Sequence, residues 1–197
     1  MKHEFRAGKP AEVREEDGKI KVSGYAAVFD EIADIGGMFR EVIRKGAFKD
    51  AVGRDDVVFL VNHEGLPLAR TRSGTLKLKE DDHGLKIESE LDTRDPDVQQ
   101  IKIKMERGDL DKMSFAFIPD VQEWDETDEN ELPLRSVTRA QLFDVSIVNY
   151  PAYQGSEIGL RSLQEHRSKN KIQSRAYTKA RMKMDLALCQ MNGHPAR

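Results

Sequence analysis

Three polar side chains stand inside or at the end of apolar, strand-like runs. They are His63 after "VVFLVN", Ser114 within "KMSFAF" and Asp144 within "LFDVSIV". These are the residue types of acyl transfer. A serine hydroxyl is a weak nucleophile until a base takes its proton, and imidazole is that base near neutral pH. A carboxylate fixes the imidazole tautomer and stabilises the imidazolium. Each residue also has a structural reading. Ser114 can be the small residue that a tight strand position demands, His63 a satisfied histidine at a strand edge, and Asp144 half of an ion pair with an arginine such as Arg139. An acid in an apolar strand needs some partner, because an unpaired buried carboxylate is costly. Spacing alone leaves both readings open.

Other chemistries lack their residues. The five histidines are His3, His63, His83, His166 and His194, with no two close in sequence, and there is no H-x-x-x-H or C-x-x-C. No metal site is expected. No phosphate-binding glycine pattern occurs, so no nucleotide cofactor is expected either. The absence of G-x-S-x-G excludes an α/β-hydrolase elbow.

The elements that must position these residues follow from periodicity. "KIKVSGYAAVFDE" alternates as a strand, with Gly24 marking a bulge or a close backbone approach. "IADIGGMF" reads as loop around Gly36 and Gly37. "RKGAFKDAVG" predicts a short helix closed by Gly53. "DVVFLVNHE" is a strand-length apolar run expected to be buried on both faces. "TLKLKEDDHGLKIESEL" is a hairpin with "EDDHG" at its turn. "TRDPDVQQIKIKMERGD" is the clearest helix, with Asp95 as cap, Pro96 in the first turn and Gly108 as stop. In "GDLDKMSFAFIPD", Met113, Phe115 and Phe117 share one face, and Ser114, Ala116 and Ile118 the other. "DVQEWDETDENE" predicts a solvated loop or hairpin tip, and "LPLRSVTRAQLFDVSIVNYPAY" two strand-like runs. Strands outnumber helices, so the expected class is α+β, a partly closed barrel of mostly antiparallel strands with a few helices around it.

At 197 residues the chain can hold one domain and a tail. The net charge of −3 argues against a general nucleic-acid binder. It is unevenly spread: residues 162–197 hold eight Lys or Arg and two Asp or Glu, a balance of +6, which leaves −9 for residues 1–161. The expected division is therefore a domain over 1–161 and a basic, flexible tail over 162–197, with an amphipathic run around Met182, Leu186 and Cys189. Cys189 is the single cysteine, which points to a reducing compartment. The charged first residues do not read as a signal peptide, and no run reaches the ~18 apolar residues of a membrane span. A soluble cytosolic protein is expected.

The ordered set "GYAAVFDE", "EVIRKGAF", "VVFLVNHE", "LARTRSGTLKLKEDDHGLKIESEL", "GDLDKMSFAF" and "LFDVSIVNYPAY" resembles the head-maturation (prohead) proteases of tailed bacteriophages over roughly residues 4–161. In that family the His of the "NH" strand end and the Ser of the "MSF" strand form the catalytic pair, here matching His63 and Ser114. The family looks distantly like the herpesvirus maturational protease, a serine protease on a β-barrel with helices around it. The third member is an acid, often Glu, and this sequence has Asp144, one methylene shorter. The resemblance implies a serine endopeptidase in the immature capsid of a phage in its host cytoplasm, or encoded by a prophage. Its implied substrates are scaffolding protein or scaffolding segments of the major capsid protein, and its own chain. It implies no cofactor, nucleic acid or membrane partner, and it leaves a homo-oligomer open. The rivals are a capsid-assembly or scaffold-binding protein that kept the fold and lost catalysis, and a different serine hydrolase such as an esterase.

Overall fold

The computed structural model describes residues 3–16, 18–128, 130–149 and 156–191. The chain forms two compact units, Met1–Ile158 and Gly159–Arg197.

Among the described residues the first unit holds eleven strands, two helices and the start of a third. One sheet runs β1 (Glu4–Pro10), β10 (Lys112–Asp125), β11 (Leu134–Val148), β5 (Phe39–Ile43) and β4 (Ile32–Ile35). It also carries β6 (Val58–Val61) on β11, and β7 (Glu64–Arg70) on β6. The second sheet runs β2 (Glu12–Glu16), β3 (Lys19–Val28), β9 (Gly84–Asp92) and β8 (Leu76–Glu80). The mixed α+β class predicted from sequence holds, and no closed barrel forms. Among the described residues neither sheet closes on itself, and β11 pairs in parallel with both β5 and β6.

One core draws on both sheets. It takes Ile20 and Val22 from β3, Leu85, Ile87 and Leu91 from β9, Phe59 from β6, and Met113, Phe115 and Phe117 from β10. Helix α2 (Pro96–Glu106) adds Val98, Ile101 and Met105, spaced to share one face. Its start is as the sequence predicts, since the Asp95 carboxylate accepts from the Asp97 N–H at 2.9 Å.

Strand β11 explains the layout around the site. It is one 15-residue strand, not two runs. Residues 134–137 pair with β5 and residues 144–147 with β6, so between them β11 must find other partners for its backbone. Helix α1 and its approach close that gap. The Ala140 N–H bonds to the Ala47 carbonyl at 2.9 Å, and the Leu142 N–H to the Asp55 carboxylate at 2.8 Å. Helix α1 itself is a single turn, Ala51–Arg54, which includes the Gly53 expected to end it.

Irregularities in the β10–β11 ladder have readable causes. Pro119 has no N–H to give, and the register shifts beside it. A second shift lies between Ala116 and Phe117, which face Asp144 and Leu142 and leave Phe143 as the extra residue. The segment read as loop around Gly36 and Gly37 is the β4–β5 hairpin. Both glycines have positive φ, 63° and 68°, and make its tight turn.

In the second unit, α3 (Ser156–Met191) continues from the end of the first unit into residues expected as a tail. Ile172, Tyr177, Met182 and Met184 are mostly exposed on it. The side chains of Leu186 and Cys189, which complete the proposed amphipathic run, lie outside the described residues.

Candidate functional site

The site is built where β10, β11 and the β6–β7 turn meet. Ser114 lies opposite Ser146 in the β10–β11 ladder, and Asp144 is two residues from Ser146. Side chains two apart on a strand share a face, so all three point the same way. The bulge at Phe143 lies beside Asp144, where such irregularities re-aim side chains.

His63 arrives from a different device. Strands β6 and β7 are joined by a two-residue loop, Asn62–His63, with Val61 and Glu64 paired across it. Both loop residues have positive φ, 51° and 61°. That is the pattern of primed hairpin turns, which usually read Asn-Gly. Asn tolerates it, but a histidine in the second position carries about 1 kcal/mol of backbone strain. The Asn62 side chain helps hold the loop by accepting from the Asn149 N–H at 3.2 Å. Because β6 runs parallel to residues 144–147 with Val61 beside Ile147, the loop lies just past Ser146, and the His63 ring reaches back toward Asp144.

The three residues singled out in the sequence come together. His63 Nδ1 is 2.6 Å from Asp144 Oδ1, and His63 Nε2 is 2.8 Å from Ser114 Oγ. A carboxylate can only accept, so Nδ1 carries the proton and Nε2 is left to accept from the serine hydroxyl. Asp144 reaches the ring despite its short side chain. The ion pair with Arg139 offered as its alternative is not formed, and Arg139 instead lies 3.9 Å from Asp120.

Burial is severe. The side chains of His63 and Asp144 are each 10% exposed, and Ser114 is 0% exposed. The cover includes β1, which pairs along β10 with Ala7 opposite Ser114. Phe5, on the same face as Ala7, packs its ring at 4.3 Å from that of His63. His3 stacks at 3.8 Å on the bulged Phe143, and burial holds its pKa below the usual imidazole value. The Arg6 carbonyl lies 2.8 Å from Ser114 Oγ. The hydroxyl has one proton and two acceptors, His63 Nε2 and the Arg6 carbonyl. When His63 is neutral they compete, whereas an imidazolium donates to Oγ and sends the serine proton to Arg6.

The other face of β1 is charged and equally buried. Glu4 and Arg6 meet Glu41 and Arg135, all four at most 3% exposed. Arg135 Nη1 lies 2.7 Å from Glu4 and 2.9 Å from Glu41, and Arg6 bonds both carboxylates. Two guanidiniums thus balance two carboxylates, and Gln122 takes the remaining Arg135 Nε–H at 2.6 Å. The sequence reading missed this group. Its one signal is charge inside the short runs "EFR", "REV" and "LRS", a pattern that also suits ordinary surface.

A depression of about 920 Å³ lies elsewhere, on the outer face of the four-stranded sheet, and contains none of the three residues. Its lining of Arg14, Lys21, Lys77, Glu88 and Glu90 is the mixed charge of a solvated sheet face, so the chemistry is sought at Ser114. No helix among the described residues is long and apolar enough to cross a membrane.

A hydroxyl, an imidazole and a carboxylate in series, mounted on two strands and a hairpin turn of an α+β domain, have the connectivity of a serine-hydrolase site. The comparison with protein families gives the same class: the model of the caudovirus prohead serine proteases matches residues 9–170. The chain belongs to that family, which ties it to maturation of the phage head. No curated protein and no solved structure gives a significant match.

Proposed function

We propose that the chain is a serine endopeptidase that cleaves scaffolding protein, or scaffolding segments of the major capsid protein, and its own chain inside the prohead. The observation that carries this is the continuous hydrogen-bonded series from Asp144 through His63 to Ser114 in a chain of this family. Ser114 is the nucleophile, His63 the general base and then general acid, and Asp144 the group that fixes the ring and stabilises its charged form. The reaction needs no cofactor. The work would take place in the immature capsid, within the host cytoplasm. The basic segment 162–197 is the part proposed to dock on acidic scaffold and to contain self-cleavage sites. The proposed kinship with the herpesvirus maturational protease rests on sequence resemblance and on residue order alone.

The complete burial of Ser114 favours a second reading, an assembly protein on the same fold without catalysis. Labelling with a fluorophosphonate, followed by mass mapping, decides between them. The peptidase reading expects adduct on Ser114, none after Ser114→Ala, and loss of scaffold cleavage in the same variant with the fold intact. Absence of adduct from the parent chain under native conditions would favour the assembly protein.

A further inference from the structure

The interaction that completes the site is made by Ser146. Its residue is 0% exposed, it faces Ser114 across the ladder, and its Oγ lies 2.8 Å from Asp144 Oδ1 and 3.2 Å from His63 Nδ1. Proton accounting fixes what it does. Nδ1 carries a proton for Asp144, so it cannot accept from Ser146, and the Ser146 hydroxyl therefore donates to the carboxylate. Two donors, the His63 ring and the Ser146 hydroxyl, converge on one carboxylate oxygen. The Ser146 oxygen is also within reach of the ring N–H as a second acceptor. The three groups close a triangle in which none can rotate without breaking two contacts.

We infer that Ser146 is a positioning residue for the proposed proteolysis, holding Asp144 turned toward His63. The inference rests on the peptidase reading above. Its physical basis is that a carboxylate with so little exposure to water needs donors from the protein for its oxygens. The Ser146 hydroxyl supplies one, and it also favours the aspartate rotamer that reaches Nδ1. With Ser146 removed, Asp144 can turn away. His63 then loses the partner that holds its tautomer, and Ser114 loses its base.

The test compares the full-length chain with Ser146→Ala and Ser146→Cys, using a fluorophosphonate and reading the maximal labelling rate at Ser114 apart from the probe's half-saturation concentration. Cysteine is the control for packing, since it fills the space but donates weakly. A hydrogen bond to a charged group corresponds to a drop in rate of about ten- to a hundredfold. Both variants should show that drop at unchanged half-saturation, with urea unfolding midpoints near the parent's. Parent-like labelling of the cysteine variant would mean that Ser146 only fills space and would overturn the inference, even if the alanine variant were poorly folded. Parent-like labelling of the alanine variant would do the same. A parent chain that takes no label at Ser114 removes the peptidase reading itself, a separate and recognisable failure.

Discussion

His63 shows how one residue can serve chemistry at the expense of the turn that carries it. Its φ of 61° suits glycine, yet only an imidazole can connect Asp144 to Ser114. A pair of variants separates the two demands. His63→Ala and His63→Gly should both abolish labelling of Ser114, but the glycine variant should be more stable than the alanine one by about 1 kcal/mol. For a chain of this size that is roughly 2–4 °C in melting temperature. Equal melting temperatures would mean that the turn carries no strain. At Asp144, replacement by Asn keeps the shape and loses the charge, and its cost in proteolysis should be large, up to about 10⁴-fold. Asp144→Glu should cost less, because it keeps the charge and must only re-seat one methylene. Assays on a scaffold-derived peptide would rank the two, and an Asn variant as active as the parent would remove Asp144 from the series. These three residues were legible in the sequence because each is polar in an apolar run. Ser146 was not, since one more small hydroxyl in "LFDVSIV" carries no signal until the register sets it opposite Ser114.

At the scale of elements, the hairpin β8–β9 and helix α2 were readable because their signals are local, namely alternation, a turn cluster and a cap. Strand β1 was not. "EFRAGKP" places charge where a solvated strand or a loop would, and only long-range partners reveal that Glu4 and Arg6 are buried. The strand order was not legible for a related reason, because alternation says that a strand exists but not which edge it joins. Strand β1 now has two roles on its two faces, Phe5 and Ala7 toward the site, Glu4 and Arg6 toward Arg135 and Glu41. Gly8 lets it cross close to β3, where an added Cβ would lie 2.2 Å from the Tyr25 carbonyl oxygen. Breaking the ion group should therefore be felt at the site. Arg135→Ala leaves two buried carboxylates with one guanidinium and should cost about 3–5 kcal/mol in urea unfolding. It should also speed hydrogen exchange in β1 more than in α2, because β1 loses a direct anchor while α2 keeps its apolar face. Uniform acceleration across the domain would mean that the group stabilises the fold without tethering β1 in particular.

At the scale of the whole molecule, charge separates the two parts. Residues 162–197 carry +6 against −9 for residues 1–161. Along α3 the described Lys169, Lys171, Lys179, Arg181 and Lys183 are exposed, and Ile172, Tyr177, Met182 and Met184 are mostly exposed among them. The described part of this long helix shows no broad apolar face and gains little from packing alone. Its basic charge and scattered apolar side chains suit contact with an acidic partner, the role proposed for this segment above. Ending the chain at Arg161 tests this. The family match continues to residue 170, so part of α3 has a counterpart in the family, and the shortened chain asks whether the hydrolytic site needs it. The expected result is normal labelling of Ser114, normal cleavage of an added peptide and loss of incorporation into proheads. Binding of the full chain to isolated scaffold should weaken as salt rises, because screening shortens the reach of the helix charge. Normal incorporation of the shortened chain would show that the address lies elsewhere. Loss of labelling in a soluble, shortened chain would show that α3 belongs to the hydrolytic unit, and that the functional boundary falls beyond Arg161.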